Sequence, residues 1–125
     1  MPGAMRLIAL RGATTVEVNE SAPILEATGE LMRELLARNA LAAEDLVSCI
    51  FTLTEDLDAE FPAVAARRMG LSKVPLLCAR EIPVPGSLPR VIRVMIHAYA
   101  PEGAQAQHVY LGEARALRLD LEGAQ

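Results

Sequence analysis

The longest apolar runs of this 125-residue chain are each broken by an Arg or a His within about ten residues, and that interruption limits what the chain can become. A helix that crosses a bilayer needs roughly 20 consecutive apolar residues, so no transmembrane segment is expected. The start, Met1-Pro-Gly-Ala-Met5-Arg6, lacks a basic stretch followed by a long apolar one, so no secretory leader is expected either. What remains is a set of strand-length runs: "MRLIAL" from Met5, "LVSCIFTLT" from Leu46, "VPLLCARE" from Val74 and "RVIRVMIHAY" from Arg90. β-Branched and apolar runs of this length, bounded by Gly, Pro and acidic residues, read as strands.

Helical spacing fills the intervals between them. Ser21 is placed to cap a helix with Pro23 in its first turn, and Ile24, Leu25, Leu31, Met32, Leu35 and Leu36 recur on one side of it up to Asn39. On that helix Glu34 and Arg38 lie four apart, a solvated pair worth only about 0.2–0.5 kcal/mol. A second, shorter helix is expected from Phe61 to Met69, with Pro62 early in it and Gly70 after it. After "MRLIAL", Gly12 is read as a bend that separates the first strand from a second extended piece, Arg11 to Val16. The Pro/Gly-rich loop Ile82 to Pro89 separates the last two long strands, and Pro101 to Gln105 breaks the chain before a short segment at His108–Leu111 and Ala114–Leu119. The order β-α-β-α-β-β implies a single α+β (α/β-like) domain over residues 1–125, a mixed sheet with helices on one face and flexible ends at 1–4 and about 120–125.

Composition narrows the function classes. Hydrophobic residues make up 52% of the chain, which suits a packed core, yet only Phe51, Phe61, Tyr99 and Tyr110 are aromatic. The core must therefore be aliphatic, and subunit contacts would help complete it. A net charge of −4 argues against nucleic acid as a partner, because phosphate binding needs a basic face. The cations are eleven Arg and the single Lys73, and Arg carries a planar fork suited to carboxylates; a general bias toward Arg would leave the same mark. Cys49 and Cys78 are expected to be free thiols, with the cytoplasm as the default compartment.

No Walker loop, G-x-G-x-x-G, H-E-x-x-H or C-x-x-C motif occurs, so nucleotide and metal chemistry are not expected. His97 alternates with apolar neighbours and reads as structural; His108 precedes a loop and says less. The unusual feature is charge inside apolar strands: Arg93 within "VIRVMI", and Arg80 and Glu81 at the end of "VPLLCARE". Buried charge is costly unless it is paired or meets a ligand. Strand alternation puts Arg93 on a face with Val91 and Met95, and sets Cys78 and Arg80 opposite Glu81. A solvated Arg on an edge strand would fit the same pattern, and Arg11 before Gly12 could be an ordinary turn residue.

Five blocks taken together are more specific: "LRGATTV" from Leu10, "AEFPA" from Ala59, "VPLLC" from Val74 with Glu81, "RVIRVM" from Arg90 and "HVYL" from His108. In order and spacing, over roughly residues 5 to 119, they resemble the small monofunctional chorismate mutases of the trimeric α/β type. The resemblance implies a homotrimeric pseudo-α/β-barrel with active sites between subunits, and an intramolecular rearrangement of chorismate to prephenate that uses neither cofactor nor metal. By that resemblance Arg93 would donate to the breaking ether oxygen, while Glu81 would accept from the ring hydroxyl with Cys78 beside it as a weak donor. Arg11 and Tyr110 would grip a carboxylate, Phe61 would form an apolar wall, Arg67 would attract the dianion, and Leu117 and Arg118 would act as a partial lid. Some members carry a Lys three positions after that phenylalanine, where this chain has Val64. A trimeric module that binds carboxylates without catalysis is the rival reading, and the joint presence of Arg93, Glu81, Arg11, Tyr110 and Cys78 favours the enzyme.

Overall fold

Alternation from Ile92 onward in one strand, Val91–Pro101, sorts the sheet into two faces. In the computed structural model, which describes residues 3–117, its residues Ile92, Val94, Ile96, Ala98 and Ala100 are buried. Arg93, Met95, His97 and Tyr99, one step out of phase, point to the other side. We number the strands β1 (Met5–Thr15), β2 (Leu46–Leu53), β3 (Leu76–Arg80), β4 (Val91–Pro101) and β5 (Val109–Tyr110), and the helices α1 (Ser21–Arg38) and α2 (Ala63–Arg68). The sheet runs β3-β2-β4-β1-β5. β4 pairs antiparallel with both β1 and β2, whereas β2 with β3 and β1 with β5 are parallel, so the sheet is mixed. Parallel neighbours need a crossover, and α2 supplies the one between β2 and β3.

Both helices cover the same face. Leu31, Met32 and Leu35 of α1 and Ala63 and Ala66 of α2 share one buried cluster with Leu10, Phe51, Val94 and Ile96. The core is aliphatic except for Phe51, as the composition requires. Apart from the short helical segment that starts at Gly112, whose Ala114 packs on Ala13 and Val91, the opposite face is free of helices among the described residues, and Leu7, Ile50, Leu77 and Tyr99 stand exposed on it.

The structure corrects two local expectations. β1 is a single strand of 11 residues through Gly12, with unbroken pairing to β4 on both sides of it. Gly12 marks a close approach instead of a bend: a Cβ there would lie 2.7 Å from Leu35 Cδ1, 3.1 Å from Leu31 Cδ1 and 3.2 Å from Val94 Cγ1. Ser21 is not the cap of α1. Glu20 holds that position without a side-chain cap, and Ser21 Oγ donates instead to Glu60 Oε2 at 3.0 Å, tying the helix start to the loop before α2. Asn39 does end α1, followed by Ala40 in a left-handed conformation (φ 51°). Glu34 and Arg38 pair at 2.9 Å with both side chains largely exposed. The chain enters β4 through Arg90, also left-handed (φ 53°), whose backbone N–H donates to the Asp56 carboxylate and whose Nε donates to the Val16 carbonyl at 3.0 Å.

Gly12→Ala tests the close approach. Shrinking the unfolded ensemble would stabilise by about 0.4–1 kcal/mol. Overpacking three core contacts costs about 1–3 kcal/mol and wins. Thermal unfolding should show a melting temperature several degrees lower; an unchanged or higher value would mean that Leu35 and Leu31 yield freely.

Candidate active site

Arg93 sits mid-strand on the helix-free face with Thr52 of β2 on one side and Ala13 of β1 on the other. Small neighbours on both sides leave room for a guanidinium. Glu81 follows the last residue of β3, and its N–H donates to the Leu53 carbonyl at 2.9 Å, extending the pairing with β2 by one step. Alternation then turns its carboxylate to the helix-free face, above Thr52. Thr52 Oγ1 donates to Glu81 Oε2, and Arg93 Nε lies 3.0 Å from Glu81 Oε1. Nε is closed off from solvent, and its N–H is aligned with no acceptor among the described residues, so the contact is ionic, not a directed hydrogen bond. The Arg93 side chain is nonetheless 42% accessible, against 20% for Glu81. The accessible remainder of the arginine faces a cavity.

That cavity holds about 590 Å³ and lies on the helix-free face. Arg93, Glu81 and Thr52 form one end of its polar lining; Arg11 and Tyr110 supply more, and Ile50, Ala13, Met95 and Leu117 give it an apolar character. Arg11 comes from β1, opposite Met95, and Tyr110 from β5, opposite Ala13. Two guanidinium groups against one carboxylate leave the cavity net positive, so it suits a small anion with an apolar body. A second cavity of about 480 Å³, under the loop from Ile82 to Leu88, meets the first at Arg93 and Glu81. Among the described residues no three His, Cys, Asp or Glu side chains are grouped so as to hold a metal ion.

Of the residues singled out in the sequence, Arg93, Glu81, Arg11, Tyr110 and Leu117 thus line one cavity. Three others do not. Cys78 pairs with Phe51, so its side chain packs against the core on the helix-covered face, and it does not flank Glu81. Phe61 is 65% exposed just before α2, and Arg67 is exposed on α2. Arg118 lies outside the described residues. Thr52 was not foreseen. Alternation in "LVSCIFTLT" could have put it on a face with Ile50, but its place beside Arg93 depends on a pairing register that one strand does not reveal.

The loop carrying Phe61 is held firmly for one that displays an exposed ring. Asn19 Oδ1 accepts from the N–H groups of Asp58 and Ala59, each at 3.0 Å, and Glu60 Oε1 accepts from Phe61 N–H at 2.9 Å. That backbone bond, together with the Ser21 hydroxyl and more distantly Arg68, holds the Glu60 carboxyl below its ordinary range.

A family model described as chorismate mutase type I matches residues 7–121. The chain belongs to the type I chorismate mutases. It is 52% identical over 119 residues to chorismate mutase AroH of Thermus thermophilus, an alignment that covers 93% of this chain and 97% of that one. It is 39% identical over 120 residues to chorismate mutase AroH of Bacillus subtilis, covering 94% of each. The solved chorismate mutase of Clostridium thermocellum superposes with a TM-score of 0.84 at 46% identity, covering 87% of this chain and 98% of that chain. This type I chorismate mutase therefore has the α+β fold expected from its sequence.

Both thiols of this mutase are free. Cys49 is buried in the core, and desolvation pushes its thiol from 9.0 up to about 11. Because the folded value is raised, the neutral thiol's contribution to stability is complete below about pH 9 and is lost as the pH climbs toward about 11. Chemical denaturation at pH 8 and pH 10 should show the stability gap between wild type and Cys49→Ala narrowing at the higher pH. A gap that stays constant would mean that the thiol is not desolvated.

Proposed function

We propose that chorismate binds in the cavity between Arg11 and Arg93 and rearranges there to prephenate. As a type I chorismate mutase the chain is an isomerase, with the family's role in aromatic amino acid biosynthesis. The reaction breaks a C–O bond and forms a C–C bond within one molecule, so it calls for neither a nucleophile nor a redox step. What a protein can contribute is to hold the folded conformer and to stabilise the negative charge that grows on the ether oxygen as the C–O bond stretches.

One observation carries the assignment of roles: a guanidinium braced by a carboxylate, itself braced by Thr52, at the wall of a mostly apolar cavity. Arg93 stays protonated throughout and donates to the oxygen as it becomes anionic. Glu81 accepts from the ring hydroxyl and fixes the guanidinium. Arg11 makes charge-assisted hydrogen bonds to a substrate carboxylate and Tyr110 adds its phenol. Leu117 covers the apolar side. Nothing in the scheme passes a proton through Glu81.

The assembly is a homotrimer whose sites are completed by neighbours. Support comes from the helix-free sheet face, where Leu7, Ile50, Leu77 and Tyr99 form an exposed apolar surface of the kind that marks an interface. Further support comes from the edge strand β3. Cys78 lies on it and α2, with Arg67, packs beside it, while Phe61 stands ordered and exposed nearby. These three residues do not line their own subunit's cavity and are not wholly buried, so they are available to a neighbour's. We assign the enzyme to the cytoplasm, since two unpaired thiols suit a reducing compartment.

Purified Arg93→Ala should keep its fold and lose of order 10²–10³ in turnover, followed as the disappearance of chorismate absorbance, which is the effect of removing a key oxyanion donor. Near-normal turnover would refute the role given to Arg93. For the assembly, light scattering should give a mass about three times the 13.4 kDa of one chain. Leu77→Glu, placed on the open face but outside the cavity, should shift that mass toward one chain and lower the activity with it. A Leu77→Glu protein with both trimer mass and full activity would count against the shared site.

A further inference from the structure

The strand that brings Tyr110 to the cavity, β5, is two residues long, and β1 presents more donors along that edge than two residues can satisfy. The parallel register pairs Gly12 with Val109 and Ala13 with Tyr110, and Leu111 N–H donates to the Ala13 carbonyl at 2.9 Å. One rung earlier, a continued ladder would offer the Gln107 carbonyl to the N–H of Arg11. Gln107 is bonded to the end of α1, where Asn39 Nδ2 donates to its carbonyl at 2.9 Å and Asn39 Oδ1 accepts from its N–H at 2.8 Å. The Arg11 N–H turns instead to a side chain: His108 Nδ1, at 3.0 Å.

A backbone N–H can only donate, so Nδ1 carries no proton and the ring in this arrangement is the neutral tautomer protonated at Nε2. An imidazole thus stands in for a main-chain carbonyl at the point where the ladder ends. It does so at the residue whose side chain is one of the two cations in the cavity. We propose that His108 is a positioning residue for the carboxylate grip: it fixes the backbone from which the Arg11 guanidinium projects and, in the same contact, the start of the strand that carries Tyr110. Asn39 braces the other side of the same turn.

The proposal rests on the functional reading above and has its own kinetic signature. A carboxylate that stays anionic throughout is gripped equally in the ground state and in the transition state. Loosening that grip therefore raises KM and leaves kcat nearly unchanged. Loss of a single backbone hydrogen bond corresponds to a change of about three- to tenfold.

The test compares three variants with chorismate as the substrate. His108→Ala should raise KM by about three- to tenfold with kcat within about twofold of wild type. His108→Asn, whose Oδ1 occupies the place of Nδ1, should restore KM; His108→Gln, whose acceptor reaches the Nε2 position, should not. An unchanged KM in His108→Ala, a loss confined to kcat, or equal behaviour of the Asn and Gln variants would overturn the proposal. If His108→Ala fails to fold, the Asn and Gln pair decides by itself. Wild-type protein that leaves chorismate unchanged would instead overturn the functional reading, so the two failures are distinguishable.

Discussion

The contact between Arg93 and Glu81 is the constraint around which the rest is arranged. An arginine in the middle of the central strand cannot be left without compensation, since a charge held against apolar neighbours costs several kcal/mol unless an opposite charge or a ligand meets it. Here the compensation is partial. Glu81 lies 3.0 Å from Nε, yet the arginine side chain remains 42% accessible toward the cavity. A guanidinium fully enclosed by protein carboxylates would have no donor left for a ligand, and one fully solvated would hold no fixed direction. Partial pairing on a rigid strand gives direction while leaving donors to offer. The small flanking residues, Thr52 and Ala13, serve the same end, as does the carboxylate held in turn by Thr52.

How much of this was legible in the sequence follows from what each signal is made of. The two faces of β4 were readable because alternation within one strand is a local property, and "VIRVMI" carries it without interference. The separation of Glu81 from Cys78 was readable for the same reason, yet the family resemblance placed the two together in one site. The structure puts Cys78 opposite Phe51 on the helix-covered face, so within a single subunit alternation prevails. Gly12 was misread because a sequence shows that a side chain is missing but not which neighbours need the space. Leu31 and Leu35 are about twenty residues away along the chain, and only the packing of α1 on β1 brings them there. Ser21 was misread in a similar way, its hydroxyl being drawn to Glu60 by a loop that folds back over the helix start. The places of Thr52 beside Arg93 and of His108 beside Arg11 N–H stayed hidden because both arise between strands, at registers that no single strand displays.

The composition and the sheet tell one story about assembly. A chain with four aromatic residues buries only Phe51 among them completely, and leaves Phe61 and Tyr99 largely exposed. One face of the sheet is sealed by α1 and α2, while the other presents Leu7, Ile50 and Leu77. A small domain buries a modest fraction of its surface in any case, and this one spends α1 and α2 on a single side. Copies meeting through the bare face would supply the missing layer without a longer chain. The same meeting would place ordered exposed groups such as Phe61 against a neighbour.

The cavity is built from two parts of unequal rigidity, and the division matches the chemistry. Arg93, Thr52 and Glu81 belong to the middle of the sheet or its direct continuation, where β4 is paired on both sides from Ile92 to Ala98. Tyr110 and Leu117 come from the far end, where β5 contributes two residues at an edge and is held by side-chain acceptors from His108, Asn39 and Thr15, the last accepting from Glu113 N–H at 3.0 Å. Local opening free energies follow such differences, lowest at short edge segments and highest in doubly paired central strands. Arg93, the donor proposed to meet the transient charge, is therefore carried by a strand paired on both sides. The proposed grip on the carboxylate is divided between the two parts, with Arg11 on β1, which is paired to β4 throughout, and Tyr110 on the edge strand β5. Exchanging the places of Arg93 and Tyr110 would put the proposed transition-state donor on a two-residue edge strand, where local opening costs least.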